Sequence, residues 1–280
     1  MDGAKAMTKP NKHRSMETMQ LTPQRAAELL EHNKINRPIS DSHVSRLERQ
    51  IIGNKWRFNG DTIKISENGD VLDGQHRLWA VMGAKKPIET IVVTGIAREA
   101  FATIDTLRKP RSGADVLALS GAERYRNITA SAIQWLIRYQ RGVISTFRDP
   151  TNRVENSDIE ESFAAHPGIA QAVERCMAMR SMVNPAIVAF LYYVLTNKNE
   201  ELAERMVETL ENPAGVPVSD PFFRFRSYLT MAKTKQRIPV VTIALAIKAI
   251  NAAHKGEKIT TLTWRNQGPK PEVFPALLVK

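Results

Sequence analysis

Residues 59–81 read NGDTIKISENGDVLDGQHRLWAV. Asp61–Ser66 (DTIKIS) alternates with the two-residue period of a strand. Asn-Gly within Glu67–Asp70 (ENGD) is the dipeptide of a tight hairpin turn. Val71-Leu72 is the short return strand and Asp73-Gly74 a second sharp turn. From Gln75, QHRLWAVMGA predicts a helix ending near Gly83. A hairpin thus delivers Asp73-Gly74-Gln75-His76-Arg77 to the N-terminal end of a helix.

Upstream, Thr22 is placed to cap a helix with Pro23 at its first position. Ser40 is placed to cap a second helix, with Val44, Leu47 and Ile51 on one face and Gly53 closing it. Downstream, Ile88–Gly95 (IETIVVTG) predicts a buried strand, and REAFATID a further short helix or strand. Residues 1–18 are expected to form a disordered basic tail, and residues 19–111 a compact α+β domain.

Residues 112–280 predict a mainly helical domain. Ile128, Ala132, Trp135, Leu136 and Tyr139 share one helical face. Ser157-x-x-Glu160 has the pattern of a capping box. Asn184-Pro185 opens AIVAFLYYVL, apolar all round and therefore expected at the centre. Asp220-Pro221 opens FFRFRSYLTMAK, and Pro239 begins VVTIALAIKAINAA, which stops at Gly256. ITTLTWR predicts a last strand or an extended arm, followed by a Pro-rich extended tail, GPKPEVFP.

With 280 residues, 42% hydrophobic and 25% charged, the chain is long and apolar enough to build a core. The single cysteine, Cys176, excludes a disulfide framework and a CxxC redox pair, and its apolar setting predicts a core residue. The most hydrophobic run, Ile238–Ile247, is too short to span a bilayer. Nor does the N-terminus have the apolar stretch of a secretion signal. These readings predict a soluble, cytoplasmic protein with no membrane partner.

The net charge of +11 is segregated. Residues 1–60 carry eleven basic and six acidic groups, residues 151–220 five and eleven, and residues 221–280 eleven and two. An acidic middle between basic ends suits a nucleic-acid footprint, and also a set of solvated helix faces. Within the basic end, FFRFR interleaves aromatics with Arg224 and Arg226, and Lys233, Lys235 and Arg237 follow. That pattern fits stacking on single-stranded nucleic acid. Phe222, Phe225 and Leu229 at helical spacing fit an ordinary buried face better.

The chemistry concentrates at the hairpin–helix junction. A helix N-terminus presents unpaired backbone N–H groups and the positive end of its dipole. Gly74 has no side chain to block a close approach, while His76 and Arg77 add donors and positive charge. Together these features favour a phosphate cradle. A helix cap by Asp73, paired on the surface with Arg77, would account for Asp-Gly but not for Gln-His-Arg.

The junction resembles the ParB/sulfiredoxin superfamily, in which a strand leads into a G-x-[HR]-R turn and a helix. The match falls on Gly74, His76 and Arg77 and is closest to the DGQHR variant of phage and plasmid ParB-like proteins. It extends over about residues 18–115, taking in LTPQRAAELLEHNKINRPIS, W-R-x-N-G at 56–60 and TIDTLRKPRS. Leu262, Trp264, Phe274 and Pro275 form an L-x-W…FP pattern, similar to the ending of phage-type proteins. The fold implied is α+β, a ParB/sulfiredoxin-like N-terminal domain followed by a mainly α-helical one.

The resemblance implies a nucleotide in this cradle. Partition ParB proteins bind CTP there and clamp DNA, sulfiredoxin binds ATP and phosphorylates a sulfinic acid, and free-serine kinases bind nucleotide similarly. Gln75 stands at the sulfiredoxin cysteine, which excludes sulfinic-acid repair. Gln75 and His76 also replace the Glu and Arg usual in partition proteins. The implied nucleotide-binding residues are Asp73, Gly74, Gln75, His76 and Arg77, with Arg108 and Arg111 either closing over a phosphate or forming a basic linker.

Asp73 and Asp105 are the natural carboxylates for Mg²⁺ accompanying ATP or CTP, although Asp105 also suits a turn cap. Asn59 suits a turn, and Asn36-Arg37 could reach the cradle. The leading expectation is a nucleotide-binding, DNA-associated ParB-like protein of a bacterium or phage-infected cell, a possible homodimer. If it is an enzyme, it is an NTP-dependent phosphotransferase or hydrolase, with Gln75, His76 and Arg77 as catalytic candidates. A ParB-like nuclease is the remaining alternative.

Overall fold

The computed structural model describes residues 14–33, 36, 38–104, 111–122, 124–231 and 238–279. The chain is mixed α and β: among the described residues it forms eleven α-helices and one four-stranded sheet. It divides into two compact units, residues 1–110 and 111–280.

The first unit holds the sheet, ordered β1-β4-β2-β3. β2 (Thr62–Ser66) and β3 (Val71–Asp73) are the expected antiparallel hairpin. Gly69 takes φ +86 in its turn, and Ser66 N donates to Asp70 O at 2.8 Å. α3 (Gln75–Ala84) follows and returns the chain to β4 (Ile88–Ile96), which runs parallel to β2. α1 (Pro23–Glu31) and α2 (Asp41–Ile52) both pack on α3. Leu29, Ile51, Ile63, Val71, Leu78 and Ile88 form the shared core of helices and sheet.

Thr22 caps α1 as expected, its Oγ1 accepting from Arg25 N at 3.2 Å. Gly53 follows α2 with φ −75, and the left-handed residue is Asn54 instead. The last described element of the unit, Arg98–Thr103, is a 3-10 helix.

The expected disordered tail needs correction at residues 15–18. Ser15–Leu21 form β1, antiparallel to β4, with Ser15 Oγ and Thr94 Oγ1 2.7 Å apart. Only Leu21 of this edge strand is fully buried, and Met16 is exposed. Backbone pairing to β4, rather than an apolar face, defines it.

The second unit is helical. α4 (Gly113–Leu119), α5 (Arg126–Gln140), α6 (Asn156–Ala165), α7 (Ile169–Cys176) and α9 (Glu200–Glu211) lie around a shared core with α8 (Pro185–Thr196). As its composition predicts, α8 is buried through most of its length, and Phe190 is wholly enclosed. α10 (Pro221–Met231) and α11 (Pro239–His254) complete the helices. Asn184 and Asp220 cap α8 and α10, accepting from Ala186 N at 3.0 Å and Phe222 N at 2.8 Å. The capping box of α6 sits two residues upstream of the expected one: the Asp158 carboxylate accepts from Glu155 N at 3.1 Å.

Residues beyond α11 form an extended arm without strand pairing. Two side chains of α11 hold it. Asn251 donates to Ala276 O and accepts from Leu278 N, both at 2.8 Å, and Lys248 pairs with Glu272 at 2.8 Å. Leu262, Trp264, Phe274 and Leu277 pack against the helical core, and Val279 is buried in it.

Cys176 is fully buried on α7. Burial pushes its thiol up to about 12; the Glu211 and Glu204 carboxylates push the same way, against Arg175. Since the thiolate is the nucleophile, iodoacetamide should label the native chain on the order of a hundredfold more slowly than the urea-unfolded chain. Equal labelling rates, followed by mass spectrometry, would place the thiol at the surface. Among the described residues, no helix is long and apolar enough to cross a membrane.

Candidate functional site

β3 ends at Asp73, Gly74 turns the chain, and Gln75 is the first residue of α3. Gly74 lies at φ +100, in the left-handed region that favours glycine. A Cβ added there would lie 3.0 Å from Ile63 Cγ1 of β2. Packing against the sheet therefore requires glycine at this position whether or not a ligand approaches. A glycine N-cap also supplies no side chain, so no side-chain hydrogen bond caps α3.

The motif side chains point into the first unit. Gln75 is 4% exposed, and its Oε1 accepts from Asn33 Nδ2 at 3.1 Å. Asn36 Nδ2 in turn donates to Asn33 Oδ1 and to Val71 O, both at 2.6 Å. His76 is 8% exposed; its Nε2 accepts from Ser40 N at 3.2 Å, and His43 meets its ring edge-on at 4.9 Å. That nitrogen therefore faces a backbone N–H and is not the donor expected at the helix start. The motif thereby fastens the end of α1 and the start of α2 to the start of α3.

Arg77 and Asp73 join the helix to the sheet. Arg77 Nη2 donates to Thr62 O at 2.8 Å and stands 3.7 Å from Asp73 Oδ2, which Lys64 Nζ approaches to 2.5 Å. Nη1 of Arg77 is buried with no hydrogen-bond partner among the described residues. Leaving such a donor unpaired costs about 1–3 kcal/mol. The Asp73–Arg77 pairing of the alternative reading is present, sheltered within the unit rather than lying on the surface. Asn59 makes the expected turn, its Oδ1 accepting from Asp61 N at 2.9 Å.

Arg37, Asp105, Arg108, Lys233, Lys235 and Arg237 lie outside the described residues. Arg111 belongs to the second unit, where it is exposed and its carbonyl accepts from Asn156 Nδ2 at 2.8 Å. Arg226 on α10 donates through Nε to Leu210 O at 2.9 Å, and Arg224 Nε is buried. Phe222 and Phe225 are in the core, as the helical spacing suggested. Among the described residues, no group of three or more His, Cys, Asp or Glu side chains could hold a metal ion.

Several participants carried no signal in the sequence. Asn33, Ser40, Thr62 and Lys64 meet the motif across the fold, and two of their groups are backbone atoms that no residue type announces. Trp79 on α3 is 41% exposed. A cleft of about 620 Å³ opens beside the hairpin turn between Arg25, His32, Ser66, Gly69 and Thr94, and none of residues 73–77 lines it. No family model, no curated protein and no solved structure matches the chain.

Proposed function

We propose that the chain is a nucleotide-binding, DNA-associated protein of the ParB-like type, with the start of α3 as the triphosphate site. The observation that carries this reading is the buried guanidinium of Arg77. One of its nitrogens has no partner among the described residues, beside a helix start that no side chain caps. Phosphate oxygens are acceptors suited to both features. Mg²⁺ would enter with the triphosphate, held by phosphate oxygens and by waters that it retains. Asp73 already pairs with Lys64 and Arg77, so its first role is to hold those cations in place.

The same residues define what the motif does without ligand. Gln75 and His76 tie the connection between α1 and α2 to the start of α3, and Arg77 ties that start to the sheet, so a nucleotide that draws on Arg77 would act on the bond to Thr62. DNA binding is assigned to the basic residues near both ends of the chain. The logarithm of its affinity should fall linearly with the logarithm of salt concentration, and a flat dependence would show those charges to be merely solvated.

Calorimetric titration of ATP and CTP with Mg²⁺ into the full chain tests the nucleotide site. Saturable binding to the wild type is expected, with affinity at least about tenfold weaker in Arg77→Ala and partly restored in Arg77→Lys. Thermal unfolding of each variant separates lost binding from lost fold. Failure of both nucleotides to bind the wild type would overturn the assignment.

A further inference from the structure

Within the second unit a cleft of about 960 Å³ opens between the end of α5, the loop that follows it, the start of α11 and the C-terminal arm. That volume is in the range of small-molecule sites, about 300–1,000 Å³. Tyr139, Phe147, Trp264 and Phe274 contribute aromatic surface to its walls. Each is half-buried and braced by another ring. Phe147 lies against Trp135 at 5.3 Å, Tyr139 against Phe190 at 6.2 Å, and Trp264 meets Phe274 edge-on at 5.6 Å. The aromatic surface is therefore set before a ligand arrives.

The polar groups at this cleft divide by role. Trp264 Nε1 donates to Val273 O at 3.2 Å and so holds the arm in shape. Exposed side-chain amides of Asn266 and Gln267 line the rim, and an amide offers both donors and an acceptor to the edge of a base. Glu272 is the only carboxylate among the described lining residues, and it is neutralised by Lys248 at 2.8 Å and Arg265 at 3.3 Å.

Among the described lining residues the only cation is Arg148, exposed, its guanidinium 5.5 Å from the Phe147 ring centre, with no ion pair among the described residues. The neighbouring Asp149 is engaged elsewhere, accepting from Thr151 N at 2.8 Å and Thr151 Oγ1 at 2.7 Å.

We propose that this cleft is a second, independent site that takes a nucleobase between its aromatic walls and the attached phosphate on Arg148. Flat rings, amides at the rim and one free guanidinium are the recognition chemistry of a nucleotide. The ligand could be a free nucleotide or one unit of a single strand. The excess of eleven basic over two acidic groups in residues 221–280 favours the strand. The site shares no residue with the one proposed at α3.

Tryptophan emission of the full chain, titrated with oligo-dT and separately with ATP and CTP, reads the site directly, because a base stacked near Trp264 quenches it. Saturable quenching is expected, lost in Trp264→Phe and shifted to about tenfold weaker affinity in Arg148→Ala. Arg148 is exposed, so its replacement leaves the fold intact. Arg77→Ala should leave this quenching unchanged even where it removes nucleotide binding at α3. Tighter binding of the oligonucleotide identifies a strand, and equal or tighter binding of ATP or CTP a free nucleotide. No saturable quenching by any probe, unchanged affinity in Arg148→Ala, or loss of the quench in Arg77→Ala would overturn the proposal.

Discussion

Replacing Gly74 by alanine is expected to destabilise the first unit by about 2–4 kcal/mol, combining the left-handed backbone with the intruding methyl group. The backbone at φ +100 disfavours any L side chain, and the new Cβ would stand 3.0 Å from Ile63 Cγ1. Relief would require the hairpin to draw away from α3, which would also disturb Arg77 and its bond to Thr62. Urea unfolding followed by tryptophan emission checks this, since Trp56 and Trp79 report on the first unit. A variant with wild-type stability but lost nucleotide binding would mean that Gly74 serves ligand approach alone.

Phe222→Ala should cost about 3–5 kcal/mol in the second unit, the usual range for deleting a buried aromatic ring. Phe222 is fully buried on α10, with the Arg205 guanidinium 5.4 Å from its ring centre. The same experiment decides the role of the FFRFR segment. A stacking platform for nucleic acid would lose DNA affinity on this change and keep its melting temperature. A core face loses melting temperature first, and the burial of Phe222, Phe225 and Leu229 predicts that outcome.

The parts of the fold legible in the sequence are those set by local chemistry. Asn68-Gly69 marks a turn, Thr22-Pro23 marks a helix start, and α8 is apolar on every face. Each of these acts over a few residues and leaves a pattern there. β1 was hidden because its pairing partners lie 67 to 79 residues away along the chain and its own side chains remain largely exposed. Glu155 and Asp158 share the capping of α6 only because the helix begins at Asn156, two residues before the pattern suggested.

At the candidate site, residue types were readable but their directions were not. Asp-Gly-Gln-His-Arg announces polar chemistry at a helix start, yet whether His76 faces a ligand or Ser40 depends on where α2 lies. That placement is a tertiary outcome, fixed by Val44, Leu47 and Ile51 packing with the core of the first unit. The same reasoning covers Trp79, whose exposure is set by its position on α3 and not by its residue type.

The arm beyond α11 bears on the order in which the protein is made. Synthesis proceeds from the N-terminus, and domains generally fold as units in that order. Every element of the first unit is encoded before residue 111, so it can close while the helices behind it are still being translated. The second unit lacks part of its core until Phe274, Leu277 and Val279 have emerged, and Asn251 has nothing to clasp before then. A ribosome stalled before residue 270 would therefore carry a finished first unit and a second one whose aromatic cleft is still missing a wall.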